Sequence, residues 1–85
     1  MSSLLQGLNM KTIYNPSYQS LIEYLIELRK QQGLTQANLA QKLDKPQSYV
    51  AKIEGCERKL DVLEFVEICQ ALQVKASQVL ASIEQ

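Results

Sequence analysis

The stretch LTQANLAQKLDKPQSYVAKIEG, residues 34–55, contains two short amphipathic patterns with almost no linker between them. Apolar residues repeat at helical spacing on both sides of a break at residues 44–45, which predicts helices over residues 36–43 and 46–54. Because a turn this short leaves no flexible linker, the two helices should form a rigid corner. The predicted inward-facing residues of the pair are Leu39, Ala40, Leu43, Val50 and Ile53.

Four residues explain how such a tight corner is built. Ala40 lies where the helices should cross, and a larger side chain there would push the axes apart. Asp44 lies where the chain reverses, and Asp tolerates a positive φ better than most residues other than Gly. Thr35 is the predicted cap of the first helix. Pro46 is the predicted first residue of the second, since its missing N–H would be unpaired there anyway.

Polar side chains dominate the outward face of the second helix of this pair. Gln47, Ser48, Tyr49 and Lys52 offer donors, acceptors and a cation on a rod narrow enough for the major groove of DNA. Each alone would be an ordinary solvated helix residue, so the prediction of base contact depends on their shared placement. Tyr49 has two interpretations: its hydroxyl contacts a DNA phosphate, or its ring packs sideways on the preceding helix.

A longer helix is predicted before the corner. Asn15 and Pro16 favour a helix start, because Asn can cap the first turn and Pro suits its first position. A leucine repeat follows, and Gly33 suits the left-handed end of the helix. Residues 1–14 are predicted to be an N-terminal tail, with a weak alternation at residues 10–14 that favours a partly extended segment.

Two helices are predicted after the corner. Asp61 and Glu64 have the spacing of a capping box, which starts a fourth helix. A short fifth helix would carry Val79, Leu80 and Ile83. Residues 15–85 are therefore predicted to form one all-α domain of five helices. The apolar stripe of the fourth helix is predicted to comprise Val62, Phe65, Val66, Cys69 and Leu72, with Ile68 at its edge.

Composition limits the classes of function. The chain has 85 residues, 46% of them hydrophobic, which suits one small globular domain. It has no apolar run of membrane-spanning length and no signal-peptide pattern, so we expect a cytoplasmic protein without a membrane partner. There is no His, and the two Cys form no CxxC pair, so we expect two reduced thiols and no metal, cofactor or enzymatic activity.

Charge is unevenly distributed along the chain. The formal net charge is zero and the isoelectric point is about 6.2, which alone disfavours nucleic-acid binding. Residues 29–59, however, carry seven basic and three acidic side chains, a net charge of +4. Residues 1–28 carry −1 and residues 60–85 carry −3. A basic middle beside an acidic end favours a polar partner of one sign.

The chain resembles the Cro/cI-type helix-turn-helix, or XRE, family of transcriptional regulators over roughly residues 18–83. LTQANLAQKL is similar to the second helix of that family, and PQSYVAKIE followed by RKLDVLEFVEICQAL is similar to the third and fourth. The resemblance implies a compact five-helix, lambda-repressor-like DNA-binding domain in which helices two and three form the helix-turn-helix. The residues whose spacing carries it are Thr35, Gln36, Ala40, Asp44, Val50, Ile53 and Glu54.

The resemblance also implies roles for individual residues. Arg29 and Glu54 match a buried ion pair that ties helix one to the end of helix three. Gln36 matches a phosphate-contacting position at the start of helix two. The base contacts implied for helix three are Gln47, Ser48 and Lys52. The further phosphate contacts expected are Tyr49, Lys42 and Lys45, the two lysines as general electrostatic contacts.

Four positions depart from the family pattern. Asp44, Cys56 and Gln73 stand where the family usually has Gly, which predicts strained left-handed turns. Pro46 stands where Ser or Thr usually caps helix three, so a side-chain cap is lost. None of these positions lies on the outward face of helix three.

Two functions are consistent with these features. The first is a sequence-specific transcriptional regulator, a repressor that binds a palindromic operator in double-stranded DNA as a homodimer. The candidate dimer surface lies on the fourth and fifth helices, with the N-terminal segment as a further contributor. It comprises Leu63, at a position that the family usually leaves polar, Val79 and Ile83 near the C-terminus, and the apolar residues of MKTIY, residues 10–14. The second is an antitoxin-like or bridging module that binds a partner protein such as a toxin, which the near-neutral isoelectric point and the acidic end favour.

Overall fold

The computed structural model describes residues 12–84. All secondary-structure elements within these residues are helical. A short 3-10 turn precedes five α-helices, as the sequence predicts for an all-α domain. Among these residues no helix combines the length and the apolar character needed to cross a bilayer. The elements are the turn Thr12–Tyr14, α1 (Pro16–Gln31), α2 (Gln36–Lys42), α3 (Gln47–Glu54), α4 (Val62–Ala71) and α5 (Ala76–Ala81).

Side-chain caps begin three of the helices where the sequence predicts them. The Asn15 side chain accepts hydrogen bonds from two backbone N–H groups in the first turn of α1. Thr35 starts α2 with a capping box completed by Asn38. Asp61 and Glu64 form the predicted capping box of α4, with each side chain accepting from the backbone N–H of the other.

The helix boundaries differ slightly from the prediction. Pro46 is the cap of α3 rather than its first residue, because its ψ of 155° is extended. Leu43, predicted to end the second helix, is the cap that follows α2. The expectation of an extended segment at residues 10–14 is wrong for Thr12–Tyr14, which form a 3-10 turn. Met10 and Lys11 lie outside the described residues.

Three helices end in left-handed residues that are not glycine. Asp44 has φ 57°, Cys56 has φ 57° and Gln73 has φ 59°, at the positions where the sequence predicts strained turns. Gly33 has φ 71° after α1, as expected. An L-residue in this conformation costs roughly 1–2 kcal/mol, so packing and hydrogen bonding elsewhere in the domain must offset the strain.

The core lies where α1, the α2–α3 corner and α4 meet. The predicted stripe of α4 is wrong at two positions: Val62 is 76% exposed, and Ile68 is buried within the core rather than at its edge. The Asp61 cap makes Val62 the first helical residue, and the buried face then repeats at i, i+3, i+4 and i+7 from Phe65. The buried apolar residues are Leu21, Ile22, Leu25, Leu39, Ala40, Val50, Ile53, Phe65, Ile68, Cys69, Leu72 and Val79.

The C-terminal helix is shorter than its apolar pattern. Val79 is buried in the core, so the expectation that it lies on a dimer surface is wrong. Leu80 is 41% exposed, and Ile83 lies beyond the end of α5, partly covered against the core. The end of the domain therefore leaves part of its apolar surface uncovered.

Cys69 is buried in α4 and Cys56 is half-buried, and both are free thiols.

Candidate nucleic-acid interface

The turn between α2 and α3 is fixed by short backbone hydrogen bonds. The N–H of Lys45 donates to the carbonyl of Ala40 at 2.9 Å, and the N–H of Asp44 donates to that of Gln41 at 3.1 Å. Ala40 is almost fully buried at the centre of the corner, where its small side chain permits close packing. The two helices therefore present their outer surfaces at a fixed angle.

Three of the predicted DNA-contacting side chains share the exposed surface of α3. Gln47, Ser48 and Lys52 are exposed, whereas Val50 and Ile53 on the opposite face are buried. Ser48 and Lys52 are four residues apart and lie on one side of the helix. The packing that holds α3 in place thus uses none of these three side chains.

A chain of side-chain hydrogen bonds runs inward from the start of α3. Nε2 of Gln47 donates to Oε1 of Gln36 at 3.4 Å, and Nε2 of Gln36 donates to Oε1 of Glu54 at 2.9 Å. Gln36 is half-buried, so its amide lies between the exposed face and the interior. The conformation of Gln47 is therefore linked to the carboxylate of Glu54, whose side chain is 10% exposed, at the other end of the same helix.

That carboxylate is paired with Arg29 of α1. Nε of Arg29 donates to Oε2 of Glu54 at 2.7 Å, and Nη2 donates to Oε1 at 2.9 Å. Nη1 donates to the carbonyl of Leu34 at 2.7 Å. The structure brings together the two residues that the family resemblance pairs, and it adds the contacts to Gln36 and Leu34. One guanidinium thereby connects α1, the start of α2 and the end of α3.

Tyr49 lies on the side of α3 that faces the loop after it. Its half-buried ring lies beneath two cations, with the centroid 5.3 Å from Nζ of Lys45 and 4.9 Å from Cζ of Arg58. Burial, and next the negative charge of Glu64, raise the pKa of the Tyr49 hydroxyl. This position favours a packed ring for Tyr49, but its neighbours are Lys45, Arg58 and Glu64 and not the preceding helix that the packing interpretation expected.

Arg58 and Glu64 form the second ion pair of the described residues. Nη1 and Nη2 of Arg58 donate to Oε1 and Oε2 of Glu64 at 2.9 and 2.7 Å. The hydrogen bonds from Arg58, and next that from the N–H of Asp61, lower the pKa of Glu64 to about 2. The loop is also tied to α1, because the N–H of Leu60 donates to the hydroxyl of Tyr18 at 3.0 Å.

The two lysines of the corner are exposed beside acidic and polar residues of α4. Lys42 and Lys45 line one side of an open groove of about 520 Å³, and Glu67 and Gln70 line the other. Lys45 also lies over the Tyr49 ring. Their positive charge therefore lies at the edge of the α2–α3 corner, in the same groove as Glu67.

Sequence reasoning missed the contacts around Arg58 and the bridging role of Gln36. The capping-box spacing of Asp61 and Glu64 does predict that Glu64 turns back toward the preceding loop. Pairing with Arg58, however, depends on the path of residues 55–61, which no local pattern specifies. The contact of Leu60 with Tyr18, 42 residues earlier, has no local sequence signal at all.

Comparisons with known proteins agree with this architecture. The helix-turn-helix family model matches residues 25–79, which include α2, α3 and α4. The solved structure of an XRE-family like protein from Pseudomonas syringae pv. tomato str. DC3000 is 41% identical, with a TM-score of 0.80, over 89% of this chain and 93% of that one. A comparison with curated proteins finds no match. With its family match covering most of the domain, the chain belongs to the XRE-type helix-turn-helix family of DNA-binding regulators.

Proposed function

We propose that the protein is a sequence-specific repressor that binds a palindromic operator as a homodimer, with α3 in the major groove. The observation that carries this proposal is the division of α3 into two faces. Gln47, Ser48 and Lys52 are free of the packing that fixes the helix, and they project from a rigid corner. Such a DNA-binding surface is sufficient for a repressor, since a protein bound over a promoter prevents transcription by occupying the site.

The proposed base contacts follow the hydrogen-bonding capacity of the side chains. Gln47 suits adenine, because an amide can pair with N6 and N7 together. Lys52 suits guanine, because an ammonium can donate to O6 and N7. Ser48 can donate or accept and so suits several bases. The hydrogen bond from Gln47 to Gln36 supports a defined orientation of the Gln47 amide.

Phosphate contacts are proposed around the base-reading face. Lys42 and Lys45 are exposed at the edge of the corner and would contribute favourable charge without reading sequence. Gln36 is proposed to contact a phosphate from the start of α2, although its amide already bonds to Glu54 and Gln47. Tyr49 is less suited to that role, because its ring is half-buried beneath Arg58.

Dimerisation is proposed because one module covers too little DNA. A single domain of this kind buries roughly 600–1,000 Å² on DNA, and two copies double the specific contact. Val62 and Leu63 are 76% and 74% exposed at the start of α4, and Leu80 of α5 is 41% exposed. A two-fold dimer through this apolar surface would require half-sites about 34 Å, or one helical turn, apart.

A second candidate function is an antitoxin-like or bridging module. The same exposed Val62 and Leu63 would then cover a surface of a partner protein such as a toxin. The net charge of −3 over residues 60–85 favours a basic surface on that partner. The two functions share α4 and separate in one measurement. A partner encoded beside the protein would co-purify with it, whereas a simple repressor would purify as a homodimer.

Selection of bound sequences from random DNA, at a stated salt concentration, tests the principal proposal. A palindromic preferred site is expected. On that site Gln47→Ala and Lys52→Ala should each lose about 1–3 kcal/mol of binding free energy, with little loss on random DNA. The matched control Lys42→Ala should weaken binding to both DNAs equally and reduce the salt dependence. Equal losses for Lys52→Ala on both DNAs would contradict base reading.

A further inference from the structure

The contacts among Tyr49, Arg58 and Glu64 connect α3 to the first turn of α4, and we call this cluster the Arg58 bridge. The guanidinium lies over the Tyr49 ring at 4.9 Å and donates two hydrogen bonds to the Glu64 carboxylate, at 2.9 and 2.7 Å. Oε1 of Glu64 also accepts from the N–H of Asp61 at 3.1 Å. The bridge thus runs from a ring on α3 to the cap of α4.

The geometry of the Arg58 bridge is restrictive. A bidentate guanidinium–carboxylate pair fixes both the distance and the plane of the two groups, which a single point charge does not. The side chain of Glu64 is 19% exposed and that of Arg58 is 40% exposed, so water competes only partly for the pair. The backbone adds to the restriction, because the N–H groups of Glu57 and Arg58 both donate to the carbonyl of Lys52 at the end of α3.

Each end of the bridge lies beside a surface with a proposed role. Tyr49 follows Ser48, which is exposed on the proposed base-reading face. Glu64 follows Leu63, which is 74% exposed on the proposed dimer surface. The orientation of α3 relative to the first turn of α4 would determine how far apart, and at what angle, a dimer holds its two copies of α3.

We infer that Arg58 is a positioning residue that fixes the angle between α3 and the first turn of α4, and so sets the half-site spacing that the dimer accepts. The inference rests on the proposed function, because it requires a dimer bound to two half-sites. Arg58 acts through Tyr49 and Glu64 and not by touching DNA. Its two terminal nitrogens both donate to Glu64, so its charge is already balanced.

The experiment measures binding to the selected operator and to two derivatives whose half-sites lie one base pair closer together or farther apart. One base pair shifts a half-site by about 3.4 Å and rotates it by roughly 35°. The variants are Arg58→Gln, which removes the charge, and Arg58→Lys, which keeps it without the bidentate geometry. Lys59→Gln is the matched control, since it removes a neighbouring exposed cation that is outside the bridge. Melting temperature and sedimentation are recorded for every variant.

The wild-type protein should prefer its own spacing, and both Arg58 variants should reduce that preference. Contacts within one network typically couple by the equivalent of about 2- to 100-fold in an equilibrium constant. A reduction within that range is therefore expected, even in a variant that remains a folded dimer. Lys59→Gln should weaken binding to all three operators by the same factor and leave the preference unchanged. Arg58→Lys keeps the test decisive if Arg58→Gln proves unstable.

A double variant separates the bridge from a direct contact with DNA. If Arg58 acts through Glu64, Arg58→Gln should have little further effect on spacing preference in a Glu64→Gln background. An equal loss on all three operators, with a salt slope reduced by about one, would identify a phosphate contact and overturn the inference. An unchanged spacing preference in both Arg58 variants would also overturn the inference, provided that the wild-type protein binds its operator specifically. A wild-type protein without any sequence preference would instead overturn the proposed function itself.

Discussion

Arg29 and Glu54 are joined by two hydrogen bonds of 2.7 and 2.9 Å, and their side chains are only 9% and 10% exposed. Because Glu54 also accepts from Gln36, the pair links α1 to both helices of the corner. A charge enclosed in this way is stable only while its partner is present. The pair therefore determines where α3 ends relative to the rest of the domain.

Removing one member of this pair should be much more harmful than removing both. Arg29→Met leaves the Glu54 carboxylate enclosed, and Glu54→Leu leaves the guanidinium enclosed, so each should cost about 3–5 kcal/mol of unfolding free energy. The double variant should lose clearly less unfolding free energy than the sum of the losses in the two single variants. Urea unfolding of the three variants measures this. Small and additive losses would show that the two charges do not depend on each other.

Cys56→Gly should leave the stability unchanged or raise it by up to about 1 kcal/mol. Cys56 has φ 57°, which Gly adopts without strain, but its half-buried side chain also packs against the core and that contact would be lost. Gly33→Ala is the control for strain alone, because φ is 71° and a Cβ there would meet nothing within 4 Å. It should cost roughly 1–2 kcal/mol. A marked fall in melting temperature for Cys56→Gly would mean that packing outweighs strain.

Local signals account for most of what the sequence predicts correctly. Caps at Asn15, Thr35 and Asp61 depend on side chains within three residues of the helix start, so their spacing suffices to find them. The left-handed ends at Cys56 and Gln73 follow from the length of each helix and the family's turn geometry.

The two errors on α4 have different physical causes. Val62 is seven residues before Cys69 and so shares the buried face by periodicity, but it is the first residue of the helix and is 76% exposed there. Ile68 is three residues after Phe65 and four before Leu72, which places it within the stripe and not at its edge. The contacts among Tyr49, Arg58 and Glu64 escape prediction for another reason, since they depend on the conformation of a loop and not on periodicity.

Stability at low pH should depend on Glu64. Hydrogen bonds from Arg58, and next from the N–H of Asp61, lower its pKa from an ordinary 4.5 to about 2 in the folded chain. A carboxyl with a lowered folded-state pKa contributes stability that is present above its unfolded-state pKa and is lost as pH falls from about 4.5 toward 2. Glu64→Gln should therefore flatten the loss of unfolding free energy between pH 5 and 2.

Unfolding measured across that pH range tests this expectation, with Arg58→Gln as the matched variant. Because Arg58 is the largest cause of the lowered pKa, its removal should flatten the profile in part, and less than Glu64→Gln does, since the N–H of Asp61 still donates to Glu64. Tyr49 also lies against this ion pair, and both variants retain it, so the comparison changes only the ion pair itself. If the unfolding free energy of both variants falls with pH in parallel with that of the wild type, Glu64 is not the source of the loss of stability at low pH.

Leu63→Glu should dissociate the proposed homodimer without unfolding the monomer. Leu63 is 74% exposed in the first turn of α4, so an isolated domain loses little packing. An acidic residue is favourable near a helix N-terminus, which further protects the fold. In a two-fold interface, by contrast, the change would remove a buried Leu, worth about 1.5–3 kcal/mol, and would introduce charge. The dimer dissociation constant should therefore rise by more than about tenfold.

Sedimentation at micromolar concentration and operator binding measure the two consequences together. Leu63→Glu should sediment as a 9.6 kDa species and bind the palindromic operator weakly, while Gln47 and Lys52 remain intact. Tyr24→Glu is the control, because it adds the same charge to a 39% exposed side chain on α1 and should leave the dimer intact. If the wild-type protein itself sediments at 9.6 kDa and binds a single half-site with undiminished affinity, the dimer through α4 is wrong.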